Sequence, residues 1–210
     1  MAVRIATFGN LSPALRQFTT SVDDVGLDAV CRGDTEAFAR LFARFQGPIF
    51  RYAVHMCGRD AADDVVQETF MAVLRRPDRY DSARGPLVSY LFGIARHFVL
   101  KRLTAREAAS FDGDLDEAVG GAGLDQPTVL DTLTREETIE TVRTAIGSLP
   151  PAYREVVVLC ELQEMSYEAA ATIAQCPVGT IRSRLHRARS LLVTKLSATG
   201  AATNLRRQER

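Results

Sequence analysis

Apolar residues recur at three- and four-residue spacing along almost the whole chain, and no sustained strand-like alternation competes with them. That periodicity predicts an all-α protein. Phe38, Leu41, Phe42, Phe45, Ile49 and Tyr52 form one stripe, with Asp34 or Thr35 placed to cap its start. Gly47-Pro48 falls inside this stripe and is expected to separate two helices. Ala62, Val65, Val66, Thr69, Phe70 and Val73 form the next stripe, starting near Asp60 and ending before Pro77. Pro86 opens a further helix whose apolar side includes Leu87, Leu91, Ile94 and Phe98. Four helices over 25–106, after an N-terminal extension at 1–24, thus predict a compact helical domain.

The stretch 107–130 cannot build a core. It carries Gly113, Gly120, Gly121 and Gly123 among many acids and predicts a flexible acidic linker. Helical periodicity returns at 131–197, first with Leu133, Ile139, Val142 and Ile146 on one face. Pro150-Pro151 restarts the chain into 153–161, Ser166 caps a short helix to about Ala174, and Pro177 opens a last helix to about Leu196. Residues 198–210 are expected to be a frayed tail. The fold class expected is therefore two small helical domains, the first of four helices and the second a helix-turn-helix.

The 210 residues carry no net formal charge, which at first argues against a polyanionic partner, but the charges are segregated. Between Phe70 and Arg106 stand Arg75, Arg76, Arg79, Arg84, Arg96, Lys101, Arg102 and Arg106 against Asp78 and Asp81. Acids dominate from Asp112 to Glu140, and Pro177 to Lys195 holds five cations and no acid. Two basic blocks parted by an acidic one suit contact with nucleic acid at two places. Cys31, Cys57, Cys160 and Cys176 lie far apart, so neither a disulfide scaffold nor a zinc site is expected, although a thiol redox response stays open. The start of the chain lacks a secretion signal and no apolar run would insert in a membrane, so a cytoplasmic location is expected. No P-loop, dinucleotide glycine pattern, H-E-x-x-H or G-x-S-x-G occurs, so neither an enzyme nor a cofactor is expected. An acidic metal site at Asp63, Asp64 and Glu68 would need a second acidic motif, and none is found.

The sharpest local pattern lies near the C-terminus. Ser166 to Ala174 is a short segment rich in small residues, which lets a second helix cross closely; Gln175-Cys176 is a tight connection, and a longer helix follows. On that helix Val178, Ile181, Leu185, Ala188 and Leu192 share one side. Arg182, Ser183, His186, Arg187 and Arg189 share the other, a face suited to the major groove, where Arg reads guanine and Ser bonds base or phosphate. Arg184 and Arg189 lie toward the flanks, placed to hold phosphates.

The run Glu164-Met165-Ser166-Tyr167-Glu168-Ala169-Ala170, followed by Cys176-Pro177-Val178-Gly179-Thr180-Ile181-Arg182-Ser183-Arg184-Leu185-His186-Arg187-Ala188-Arg189, resembles region 4 of the extracytoplasmic-function (ECF) sigma factors. The resemblance implies docking in the −35 promoter element. Asp60-Ala61-Ala62-Asp63-Asp64-Val65-Val66-Gln67-Glu68-Thr69-Phe70 resembles the family's region 2. This implies that Asp60, Asp63, Asp64, Gln67 and Glu68 bind the clamp coiled coil of the largest subunit of core RNA polymerase, while region 4 meets the flap. Ser89-Tyr90-Leu91-Phe92-Gly93-Ile94-Ala95-Arg96-His97 resembles the segment that opens the −10 element. Tyr80, Tyr90, Phe92 and His97 would supply flat surfaces for unstacked bases, and Arg84, Arg96, Lys101 and Arg102 charge for the displaced strand. The family further implies promoter DNA as a partner, a linker in the polymerase's RNA-exit path, and an anti-sigma factor as regulator. The rival reading is a stand-alone helix-turn-helix regulator that binds palindromic DNA without polymerase.

Overall fold

Asp34 launches the first long helix by accepting the backbone N–H groups of Glu36 and Ala37 at 2.9 and 3.0 Å, as an N-cap should. The computed structural model describes residues 27–110 and 131–198. The expected extension, most of the linker and nearly all of the tail lie outside the described residues. Eight α-helices follow in order: α1 (Leu27–Cys31), α2 (Thr35–Cys57), α3 (Arg59–Arg75), α4 (Leu87–Ser110), α5 (Asp131–Gly147), α6 (Pro151–Val157), α7 (Tyr167–Ala174) and α8 (Val178–Ala198). No strand occurs among the described residues, and no helix there is long and apolar enough to cross a membrane.

One expectation fails in α2, which runs unbroken through Gly47-Pro48 instead of dividing there. Pro48 cannot donate to the carbonyl one turn back, a loss of about 3 kcal/mol in a helix interior. Against this, Leu41, Phe45, Ile49, Tyr52 and Met56 are all buried on one side of the rod, each burial being worth about 1.5–3 kcal/mol. Pro48 faces the same way and is buried with them, so packing outweighs the local breaker. The fourth helix of the N-terminal group is instead α1.

Gly58, at φ 91°, makes the one-residue joint between α2 and α3 in a backbone region that L side chains rarely adopt. The stripe expected for α3 is buried as predicted: Ala62, Val65, Val66, Thr69, Phe70 and Val73. Two short 3-10 turns, Pro77–Arg79 and Ser82–Arg84, lead to α4. There the buried side is Leu87, Leu91, Phe92, Ala95 and Val99, while Ile94 and Phe98 are only partly buried. The shift follows from company, because α4 touches α7 as well as α2 and α3. It also continues past the expected domain boundary to Ser110.

In the second group α6 passes into a single π turn, Val158–Leu162. The core comprises Ala145, Ile146, Leu149, Val156 to Leu159, Ala170, Ile173, Ile181, Leu185, Ala188 and Leu192. Ile139, expected on the apolar face of α5, is 41% exposed.

Candidate nucleic-acid interface

The helix-turn-helix is built from local signals that act in sequence. Ser166 Oγ accepts the Ala169 N–H at 3.1 Å and starts α7. Gln175 ends it in the left-handed conformation at φ 53°, and the Cys176 N–H returns to the Ala171 carbonyl at 3.1 Å. Fully buried Ala170 permits the close crossing of α8. On α8, Ile181, Leu185, Ala188 and Leu192 are buried, whereas Arg182, Ser183, His186, Arg187 and Arg189 are exposed and Arg184 is half-buried. The polar side therefore faces outward over two full turns, the orientation a groove-reading helix needs.

Not every side chain on this face is equally free. The Arg182 guanidinium lies 5.8 Å from the centre of the Tyr167 ring, a cation–π contact that holds it at the front of the helix. Ser183 Oγ donates to the Thr180 carbonyl at 3.1 Å. Arg189 is committed to Glu161 through both Nε and Nη2, which ties α8 to the π turn and sets it apart from the others.

In the first group Tyr80, Arg84, Tyr90 and His97 line one open groove of about 760 Å³. The Tyr80 and Tyr90 rings stand 5.4 Å apart at 47°, and Tyr80 Oη donates to the Gly85 carbonyl at 3.2 Å. Arg75, Arg76 and Arg79 line the same groove, although they were not assigned to it from the sequence. Their signal was present: three cations closely spaced about Pro77 inside a basic block. Phe92, Arg96, Lys101 and Arg102, grouped with these residues by resemblance, do not line it, and Phe92 is buried against Tyr52 in the core. Arg96 is paired with Glu155 at 2.7 Å and Arg102 with Glu68 at 2.6 Å, with Asp64 at 3.6 Å from its second nitrogen.

The acidic strip is a real face of α3. Asp60, Asp63, Asp64 and Gln67 are exposed and Glu68 half-buried, opposite buried Val65, Val66 and Phe70. Met71 and Leu74, 41% and 43% exposed, continue the same face toward the helix end at helical spacing. The surface is thus acidic at one end and apolar at the other, which suits an amphipathic basic helix.

Cys57, Cys160 and Cys176 are free and half-buried; the side chain of Cys31 lies outside the described set. Burial, with Glu161 adding and Arg189 opposing, pushes the Cys160 thiol up to about 11, and burial likewise raises Cys57. A raised pKa means less thiolate at neutral pH, so Cys160 should alkylate about a hundredfold more slowly than an ordinary thiol. Iodoacetamide labelling read by mass spectrometry tests this; equal rates for Cys160 in the folded and urea-unfolded chain would refute it.

An outward arginine helix in one helical group and an aromatic, cationic groove beside an acidic helix in the other are features that suit a DNA-binding protein. The chain matches Sigma-70 region 2 at residues 41–108 and Sigma-70, region 4 at residues 139–192. It is similar to the ECF RNA polymerase sigma-E factors of Salmonella typhimurium and Escherichia coli, 35% identical over 182 residues, covering 83% of this chain and 94% of each relative. The sigma-E factor of Haemophilus influenzae is 32% identical over the same share of this chain and 95% of its own. Among solved structures, CnrH in complex with the cytosolic domain of CnrY has a TM-score of 0.62 at 27% identity, covering 84% of this chain and 99% of that one. The sigma factor RpoE of Bartonella quintana, in complex with the anti-sigma factor NepR, also scores 0.62, at 29% identity over 76% of this chain and 96% of its own. The chain belongs to the ECF sigma factors, transcription initiation factors that give RNA polymerase its promoter specificity.

Proposed function

We propose that this sigma factor works through three surfaces carried by an N-terminal module at 25–106 and a C-terminal module at 131–197, joined by a linker at 107–130. The exposed face of α3 (Asp60, Asp63, Asp64, Gln67, Glu68, with Met71 and Leu74 at its tip) takes core RNA polymerase. Arg182, Ser183, His186 and Arg187 enter the major groove at the −35 element, with Arg184 on phosphate. The groove of Tyr80, Arg84, Tyr90 and His97, extended by Arg75, Arg76 and Arg79, receives the opened −10 strand. The outward polar face of α8 carries this reading. The protein performs no catalysis of its own and acts in the cytoplasm. An anti-sigma factor restrains it, a reading supported by the anti-sigma complex among the similar structures.

Run-off transcription with purified core polymerase on a promoter library is the test. The wild type should initiate only with core enzyme. The charge reversal Asp63→Lys with Asp64→Lys should weaken polymerase capture about tenfold or more, since like charges then face a basic partner. Tight sequence-specific DNA binding by the chain alone, with no dependence on polymerase, would favour a stand-alone regulator.

A further inference from the structure

Arg189 differs from its neighbours on the polar side of α8, because its charge is already matched inside the protein. Its Nε donates to Glu161 Oε1 at 3.1 Å, and its Nη2 donates to the same oxygen. Glu161 belongs to the π turn, Val158–Leu162, a wide turn of a kind often found at functional sites. Tyr167 also meets Arg189, and the same ring carries the Arg182 guanidinium at 5.8 Å. Both members of the ion pair stay open to solvent, Arg189 at 46% and Glu161 at 40%, so DNA could reach either.

We propose that Glu161 is a positioning residue that keeps Arg189 off the DNA backbone and so caps the second module's affinity for DNA of any sequence. The proposal rests on the −35 reading above. Arg182, His186 and Arg189 follow one another at i, i+4 and i+7, so they share one line along α8. Arg189 lies about 10 Å beyond Arg182 along the axis, at about 1.5 Å per residue. A recognition helix reads bases with its first turns, and the major groove is about 8.5 Å deep. A cation about 10 Å further along therefore stands near the rim, level with phosphate. What separates it from Arg182 and Arg187 is the carboxylate it holds.

Exchanging Glu161 for phosphate gives Arg189 no net gain. One charge-assisted contact is lost for the one made, and the vacated carboxylate is left facing like charge. Without Glu161 the same guanidinium would release a condensed counterion from the duplex on binding, a gain that falls as salt rises. A backbone contact of that kind adds affinity without reading sequence. Glu161 thus leaves the grip of α8 to the side chains that touch base edges.

Four full-length proteins, each assembled with core polymerase, test this: wild type, Glu161→Ala, Arg189→Ala and the double variant. Fluorescence anisotropy reads their binding to a promoter with the −35 element intact and to one with it scrambled, over about 50–200 mM salt. Glu161→Ala should steepen the fall of log affinity with log salt by about 0.9, the value of one phosphate contact. Over that range it should lose about threefold more affinity than wild type, with its preference for the intact element unchanged. In the Arg189→Ala background the same substitution should leave the slope as it was. An unchanged slope for Glu161→Ala, weaker binding throughout, or equal steepening in both backgrounds overturns the proposal. Position 161 is exposed, so circular dichroism should show wild-type helicity in every variant. If wild type fails to prefer the intact element, the −35 reading falls, and the slopes on scrambled DNA still decide the role of Glu161.

Discussion

Replacing Arg182 and Arg187 together by alanine should abolish −35-dependent initiation while leaving the protein as stable as wild type. Both side chains are exposed on α8, so their removal opens no cavity. A base-reading arginine is worth about 1–3 kcal/mol. Two such losses amount to about 30-fold at the lower bound and far more at the upper. The decisive comparison is run-off transcription from a promoter with an intact −35 element and from one with that element scrambled. Wild type should prefer the intact promoter strongly; the double variant should transcribe both at the same low level. If the variant still discriminates between them, these residues do not read the element. Tyr167→Phe is a useful control, since it keeps the ring beneath Arg182 and should preserve discrimination.

Leu185→Ala should do the opposite. Leu185 is 2% exposed, on the side of the same helix that faces the domain. Truncating a buried leucine costs about 2–5 kcal/mol, from lost burial and from the cavity left behind. Urea denaturation followed by circular dichroism should show this loss, and the DNA-reading helix should lose its seat with it. A midpoint equal to wild type would show that α8 is not anchored through this face. Taken together, the two substitutions separate what the helix touches inside from what it offers outside, within two turns of chain.

The second module was readable because its instructions are local. A serine cap, a run of small residues, a left-handed joint and a proline before the last helix all act within a few residues of where they stand. The apolar stripe of α3 and its acidic opposite face were readable for the same reason. What escaped depends on distant partners. Gly47-Pro48 looked like a break because the burial that overrides it comes from other helices. Arg96 looked like a free cation because its carboxylate lies far along the chain, on α6, where a single acid precedes Val156 to Leu159. Arg189 was grouped with the DNA face because Glu161, its partner, is brought round by a π turn that apolar periodicity does not announce. Met71 and Leu74 went unassigned because only packing shows which apolar residues a helix leaves out.

Arg102 gives the two faces of the first module a shared account. Its guanidinium, projecting from α4, holds Glu68 and Asp64 on the exposed side of α3. A basic surface that claimed those carboxylates would draw them away from Arg102 and set its charge free. By thermodynamic reciprocity, any anion that bound the freed guanidinium would favour capture of that basic surface by the same factor. One side chain would thus couple two binding events without any movement of the backbone.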